Sequence, residues 1–311
     1  MSSNAAARSQ CASGVLLVRP AHFAYNDQTA ASNRFQHGVA MSDLAARARD
    51  EFDRVRTAIE AAGVRVCVLE DTSEPAKPDA VFPNNWVSFH QDGTVVLYPM
   101  QAANRRAERR LDALETVALE LGFHRRRLVD LRVREDCGQI LEGTGSLVLD
   151  HVRRIAYACR SARTDEATVR EWSGLMNFTP VLFDACGPDG VALYHTNVML
   201  SIGSTWAVVC TPSIVAADRD RVLANLKSSG REIIEIGMAP MLRFGANILE
   251  LARGVLIMSE QARSGLQSTG DGNWSRLRDC VEQVVAVAVP TLESVGGGSV
   301  RCMVAEVPET G

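Results

Sequence analysis

The 311-residue chain has no excess of basic charge: 33 Lys and Arg stand against 37 Asp and Glu, a formal net charge of −4. It therefore lacks the electrostatic footprint of a protein that binds nucleic acid or an anionic membrane surface. Long apolar runs are missing as well. The run Val284 to Val289 is far short of the roughly 20 residues a membrane-spanning helix needs. Met1 to Ser13 is small and polar and lacks the apolar core of a secretory signal. A flexible tail over residues 1–12 and a cytoplasmic location are expected. The eight cysteines include no CxxC pair and no close Cys/His cluster, which speaks against structural zinc. With no export signal, reduced and mostly buried thiols are the default. No Pro/Ser-rich linker interrupts the middle of the chain, so residues 13–311 read as a single domain. What is present is a 46% hydrophobic composition, ample for a core and inconsistent with disorder.

The chain repeats itself. Trp86 to His90, the turn Gln91-Asp92-Gly93 and Thr94 to Pro99 read as a hairpin, since a DG turn joins two β-rich runs. A helix over Asn104 to Leu121 follows, ending at Gly122, and then a strand containing Leu128 and Val129. The same order recurs three times. The second copy has strands over Ser146–Leu149 and Arg154–Ala158, a helix over Asp165–Met176 and a strand over Val181–Phe183. The third has Val198–Ile202, Thr205–Cys210, a helix over Ala216–Leu226 and Glu232–Ile236. The fourth has Ile248–Leu251, Val255–Met258, a helix near Trp274–Val281 and Val285–Val289. Val87, Leu147, Val198 and Ile248 lie roughly 50 to 60 residues apart, a period typical of repeat architectures. The leftover pieces are a last strand, Met303–Val307, and an N-terminal strand, helix and strand (Val15–Val18, Ser42–Ala62, Val64–Leu69). They complete a fifth unit if the two ends of the chain meet, and a closed ring needs no capping repeat.

The segments leading into each first hairpin strand are polar. They contain Asp79 with Asn84-Asn85, Glu142-Gly143-Thr144-Gly145, His195-Thr196-Asn197, Phe244-Gly245-Ala246-Asn247, and Gly296-Gly297-Gly298 ahead of Cys302. Equivalent positions of a ring converge on one axis, so a thiol, an imidazole, carboxylates and amides would meet there. Those are the parts of a cysteine-nucleophile site. Taken singly, each has a plainer explanation: a packing cysteine, a strand-end histidine, turn residues. The Gly-Gly-Gly run lacks both a P-loop ending and a dinucleotide-binding spacing.

With its five units and a cysteine near the C-terminus, the chain resembles the pentein, or guanidino-group-modifying, superfamily. That superfamily includes arginine deiminase, dimethylarginine dimethylaminohydrolase and the amidinotransferases. Arg19-Pro20-Ala21-His22-Phe23 with Tyr25, Asn26 and Asn33, together with Phe82-Pro83-Asn84-Asn85-Trp86, is most similar to the arginine-deiminase-related, citrulline-utilisation branch. The resemblance implies a five-fold pseudosymmetric α/β propeller of ββαβ units. It implies Cys302 as nucleophile, His195 as general acid/base and Glu142 as the acid beside them. Asp79 would bind substrate nitrogen, Arg105 the substrate's α-carboxylate, and Arg163 matches an arginine of the family's SARTN-like segment. No metal or organic cofactor is implied, the partner is a small amino-acid substrate, and a homodimer is an expectation.

The sequence departs from the pattern at Asn84-Asn85, where relatives carry carboxylates. A cationic guanidinium offers only donors and prefers acidic partners. A neutral ureido group presents a carbonyl, to which an Asn amide donates and a carboxylate does not. Citrulline, hydrolysed to ornithine, ammonia and carbon dioxide, is therefore the first expectation, with arginine or dimethylarginine as the alternatives. A non-enzymatic binding role, as in a ribosome anti-association factor of similar fold, leaves the thiol, imidazole and carboxylate without a purpose.

Overall fold

The structure, a computed structural model, describes residues 8–38 and 43–310. Its strands form five separate three-stranded sheets. In the first complete unit, β3 (Val87–Phe89) and β4 (Thr94–Leu97) pair antiparallel, and β5 (Arg127–Asp130) adds parallel to β4. The next units repeat this with β6 (Val148–Asp150), β7 (Ile155–Cys159) and β8 (Thr179–Phe183), then β9 (Leu200–Ile202), β10 (Trp206–Val209) and β11 (Glu232–Glu235). The fourth has β12 (Leu249–Ala252), β13 (Val255–Ser259) and β14 (Gln283–Val287).

The chain ends do meet. The last strand, β15 (Ala305–Val307), pairs antiparallel with β1 (Gly14–Arg19) in the register Gly14↔Val307 and Leu16↔Ala305. The parallel partner of β1 is β2 (Arg65–Glu70). This is the pentein propeller in a single domain. Each parallel step requires a crossover, supplied here by a helix that packs an apolar stripe on the sheets. Helix Leu44–Ala61 shows the pattern, burying Ala48, Phe52, Val55 and Ile59 at helical spacing. Its expected start at Ser42 lies outside the described residues, as do residues 1–7 of the expected tail. Gln10, within that tail, is held: its amide donates to Leu149 O at 2.9 Å, and His151 N donates to its Oε1 at 3.0 Å.

Several elements differ from the sequence reading: short turns of helix such as Asp27–Ala30, Gly143–Ser146 and Met238–Met241 are not among those expected, and two longer pieces change the layout. The stretch expected as one helix over Asn104–Leu121 is a 3₁₀ turn, Ala103–Glu108, followed by helix Asp112–Leu121. The break lets Arg105 and Glu108 turn into the interior, where both are buried. An unexpected helix, Glu260–Gln267, precedes helix Asn273–Asp279; the Ser259 side chain caps it by accepting from Ala262 N. The five segments that lead into β3, β6, β9, β12 and β15 lie at one end of the ring. The hairpin turns and the residues after β15 lie at the other.

Candidate active site

Cys302 sits in a 3₁₀ turn, Val300–Met303, just ahead of β15. Its approach is fixed from outside the ring. The buried carboxylate of Glu51 accepts from Thr291 N and Leu292 N at 2.9 Å each, pinning the start of the turn Leu292–Gly296. Glu293 then accepts from Ser299 Oγ at 2.6 Å. The glycines between are there for space. A Cβ on Gly297, at φ 66°, would meet Asn33 Nδ2 at 2.5 Å, and one on Gly298 would meet the Phe82 ring at 2.9 Å.

The thiol faces amides. Asn247 Nδ2 lies 3.4 Å and Asn197 Nδ2 3.7 Å from Cys302 Sγ. Burial pushes the thiol up from its ordinary value, and the Asn247 hydrogen bond, the Ser299 contact, Arg301 and Asn197 offset only part of that. Cys302 thus rests as a protonated thiol at neutral pH. Neither asparagine stood out in the sequence as a thiol partner. Their equivalent positions in the third and fourth units were the available signal.

Glu142 N donates to Ser146 Oγ at 3.1 Å, and Ser146 Oγ in turn donates to Arg163 O at 2.8 Å. This local knot aims the Glu142 carboxylate inward, where it is fully buried. Its Oε2 lies 2.8 Å from His195 Nε2, and its Oε1 accepts from Gln101 N at 3.0 Å. Burial works against the Glu142 charge, yet Arg163, the His195 hydrogen bond and Arg105 outweigh it and hold the carboxyl well below the usual carboxylate range. His195 is pushed down to about 4 by burial, which the Glu142 partner offsets only partly. At neutral pH the imidazole is therefore neutral. Its Nε2 carries the proton given to Glu142, and Nδ1 is left as a base without a hydrogen-bond partner among the described residues. The glycine of the Glu-Gly-Thr-Gly motif makes this possible: a Cβ on Gly145 would lie 2.7 Å from His195 Nδ1 and 2.6 Å from Asn85 Nδ2.

Cys302, His195, Asp79, Asn85, Arg105 and Arg163 all line one small cavity of ≈ 20 Å³, room for about one water. Thr29 and Asn33 of the segment after Phe23 wall it as well. Asp79 Oδ2 accepts from Asn26 Nδ2 at 2.7 Å, while Oδ1 is buried with no partner. Two of the sequence-derived residues stand elsewhere. Glu142 lies behind His195. Asn84 lies behind Asn85, off the cavity wall, with its Oδ1 accepting from Asn85 Nδ2 at 3.1 Å. Adjacent residues of a tight turn aim in different directions, which is why only one of the two amides reaches the cavity.

The two arginines are engaged by the protein. Arg105 Nε and Nη2 each donate to Glu108 at 2.9 Å, its Nη1 donates to Asn85 Oδ1 at 2.9 Å, and Asp79 lies 3.6 Å away. Burial disfavours this charge, but Glu108, Asp79 and Glu142 keep the guanidinium protonated. Arg163 Nη2 donates to Thr29 O at 2.9 Å and to Ser32 Oγ at 2.7 Å, and its guanidinium lies 4.9 Å over the Tyr194 ring. Arg163 thereby ties the segment walling the cavity to Glu142, which is 3.5 Å from its Nη1.

Comparison with known proteins bears on this arrangement. No curated protein matches the chain in sequence. Among solved structures, it is similar to the N-terminal domain of ArgZ bound to substrate, described as an arginine dihydrolase from the ornithine–ammonia cycle in cyanobacteria. That match has 16% identity and a TM-score of 0.73, and covers 95% of this chain and 98% of that one. It is similar at 14% identity and TM-score 0.73 to AgrE in complex with L-arginine, covering 95% of this chain and 40% of that one. A dimethylarginine dimethylaminohydrolase adduct with S-methyl-L-thiocitrulline matches at 15% identity and TM-score 0.64, covering 94% and 98%. A family profile described as N,N dimethylarginine dimethylhydrolase, eukaryotic, matches residues 19–309. With that span matched, the chain belongs to the N,N dimethylarginine dimethylhydrolase family, within the pentein superfamily, and is a hydrolase acting on carbon–nitrogen bonds.

Proposed function

We propose that this protein hydrolyses a ureido or guanidino amino acid through a covalent Cys302 intermediate, with citrulline as its first substrate. The observation that carries the class is the unpartnered Asp79 Oδ1 on a cavity wall shared with Cys302 and His195. A buried acceptor without a partner is costly, and a substrate N–H satisfies it. The preference for a ureido group rests on Asn85 and on Arg105, which already supplies a cation to Asp79 and Glu108. A second cation gains less there than a neutral headgroup would.

In the proposed chemistry, His195 Nδ1 takes the thiol proton as Cys302 Sγ attacks the ureido carbon. The tetrahedral adduct collapses when the C–N bond breaks and the imidazolium returns that proton to the leaving nitrogen. His195 then draws a proton from water, whose oxygen attacks the thioester-like carbon and releases the thiol. With the ornithine nitrogen as the leaving group, water attack releases carbamic acid and the imidazolium returns its proton to the sulfur; carbamic acid then breaks its remaining C–N bond, so the sum is citrulline plus water giving ornithine, ammonia and carbon dioxide. Glu142 holds the ring by Nε2 and stabilises the imidazolium formed in between. Arg163 and Arg105 are the cations on the cavity wall for a substrate carboxylate. For Arg105 that role competes with its two hydrogen bonds to Glu108.

Dimethylarginine or arginine is the second reading, favoured by the family match and by the acidity of Asp79 and Glu142. Assay of the purified protein on citrulline, arginine and dimethylarginine, resolving ammonia, methylamines, ornithine and citrulline, separates the two. Turnover of arginine alone with citrulline accumulating overturns the Asn85 argument and leaves the cysteine hydrolase standing.

A further inference from the structure

At the opposite end of the ring lies a cleft of ≈ 860 Å³, within the size range of sites for metabolite-sized ligands. It is bordered by the β3–β4 turn at Gln91-Asp92, by His151 in the next hairpin turn, and by Pro308 after β15. None of these residues borders the catalytic cavity.

The cleft is electropositive. Arg8, Arg126, Arg127 and Arg154 line it against Asp92, Glu306 and Glu309, and Glu306 is already paired with Arg301 at 3.0 Å. Neither Arg127 nor Arg154 has a carboxylate partner among the described residues. Arg127 Nη1 donates to Leu175 O at 3.1 Å, and Arg154 donates to Asn177 O and Met176 O and lies 4.0 Å over the Phe178 ring. The field is felt at Arg154, whose pKa is lowered by burial and by Arg8, with Asp92 offsetting only part.

One residue of its lining, His90, also carries an unpaired neutral donor. Trp172 Nε1 only donates, and it donates to Tyr98 Oη at 2.9 Å. The Tyr98 hydroxyl lies 2.7 Å from Ser88 Oγ, and Ser88 Oγ lies 2.8 Å from His90 Nε2. The arrangement that leaves no buried hydroxyl proton stranded runs from Tyr98 to Ser88 to His90 Nε2. Nε2 is then an acceptor and the imidazole proton sits on Nδ1. That Nδ1–H is buried and has no partner, and the His90 ring lines the cleft. Burial pushes His90 down to about 3, so it serves as an uncharged donor. Phe89, Leu175 and Met176 supply an apolar wall.

We propose that this cleft binds a small organic anion, with its carboxylate or phosphate held by Arg154, Arg127 and the His90 Nδ1–H and its apolar body against Phe89 and Met176. The test is calorimetric titration of the full chain, at fixed ionic strength, with benzoate, phenyl phosphate and neutral benzamide, which share one body and differ in headgroup. One or both anions are expected to bind at one equivalent and benzamide at least ten-fold more weakly. Preference between the two anions names the headgroup. Arg127→Gln and Arg154→Gln are each expected to weaken binding about ten-fold, a loss of about 1.4 kcal/mol, while turnover stays at the wild-type value. Arg154 has a left-handed backbone, φ 59°, so Arg127→Gln keeps the test readable if Arg154→Gln does not fold. Cys302→Ala is expected to bind the anions as tightly as wild type. Absence of binding by both anions, equal binding of benzamide, or affinity unchanged in Arg127→Gln overturns the proposal.

Discussion

His195 and His90 are both fully buried imidazoles with one nitrogen held and the other without a partner, at opposite ends of the same ring. What holds them differs. His195 Nε2 gives its proton to a carboxylate that Arg163 and Arg105 keep ionised. When its free nitrogen takes a proton, Glu142 is already in place to stabilise the imidazolium. His90 Nε2 receives a proton from a neutral hydroxyl, and a cation there would have no hydrogen-bonded carboxylate, only the field of Asp92 opposed by His151 and Arg154. One partner atom thus separates an acid/base from a fixed donor, although burial lowers both pKa values, to about 4 for His195 and about 3 for His90. A perturbed histidine is not by itself a catalytic one.

The predictions press on this contrast, beginning with the largest effect. Cys302→Ala is expected to bring turnover to background, and His195→Ala to cost about 10²–10⁴-fold in kcat, with circular dichroism unchanged; full activity in either variant removes the proposed mechanism. Glu142→Gln keeps the shape but loses the charge that supports the imidazolium, and should lower kcat about 10²-fold with little change in KM. Gly145→Ala puts a methyl where the His195 ring and the Asn85 amide now lie. An ångström of displacement there should cost about 10- to 100-fold, and a neutral result means the ring has room that the contacts deny.

Two smaller effects read the protonation states directly. Alkylation of Cys302 should accelerate with pH up to and beyond the ordinary thiol range, with no step near neutrality, because thiol and imidazole rest uncharged. Asn247→Ala, which removes an amide that lowers the thiol pKa, should slow alkylation several-fold at a fixed pH near 8. For stability, the unfolded histidines titrate near 6.5 and the folded ones below it, so the unfolded chain takes up protons first as pH falls. Stability should therefore drop below pH 6.5, by about 1.4 kcal/mol per unit for each such histidine, until about pH 4 for His195 and about pH 3 for His90. His90→Gln should flatten that slope in thermal unfolding and leave turnover unchanged, whereas loss of turnover would put His90 in the catalytic machinery.

Much of this was legible in the sequence. The five units and their closure followed from hairpin turns and helix ends such as Gly122, which does adopt the left-handed C-cap. Convergence of Cys302, His195 and Asp79 on one cavity followed from their equivalent positions. What escaped was side-chain direction and partnership. Asn84 and Asn85 read as one pair, but only Asn85 reaches the cavity wall. Arg105 read as a residue awaiting substrate, but Glu108, three positions along the same 3₁₀ turn, engages it. The segments that carry Asn197 and Asn247 placed both on the common axis, but did not show their direct approach to the sulfur, at 3.7 and 3.4 Å. Helix Glu260–Gln267 was missed because Ser264-Gly265 interrupts a short helical pattern, and Gly265 is tolerated because Arg243 and Pro240 pack against it.

The pairing of β15 with β1 carries a consequence for the order in which the enzyme comes into being. Synthesis proceeds from the N-terminus, so β1 and β2 emerge first and wait, one edge open, while four complete units are made. The strand that closes that edge follows Cys302 by three residues. Cys302 and the clasp therefore arrive together, and a nascent chain lacking them carries His195 and Glu142 without the thiol that shares their cavity. Under the proposed mechanism, closure of the ring and completion of the site are one event in this domain, and a chain stopped before Cys302 should be inert as well as unstable.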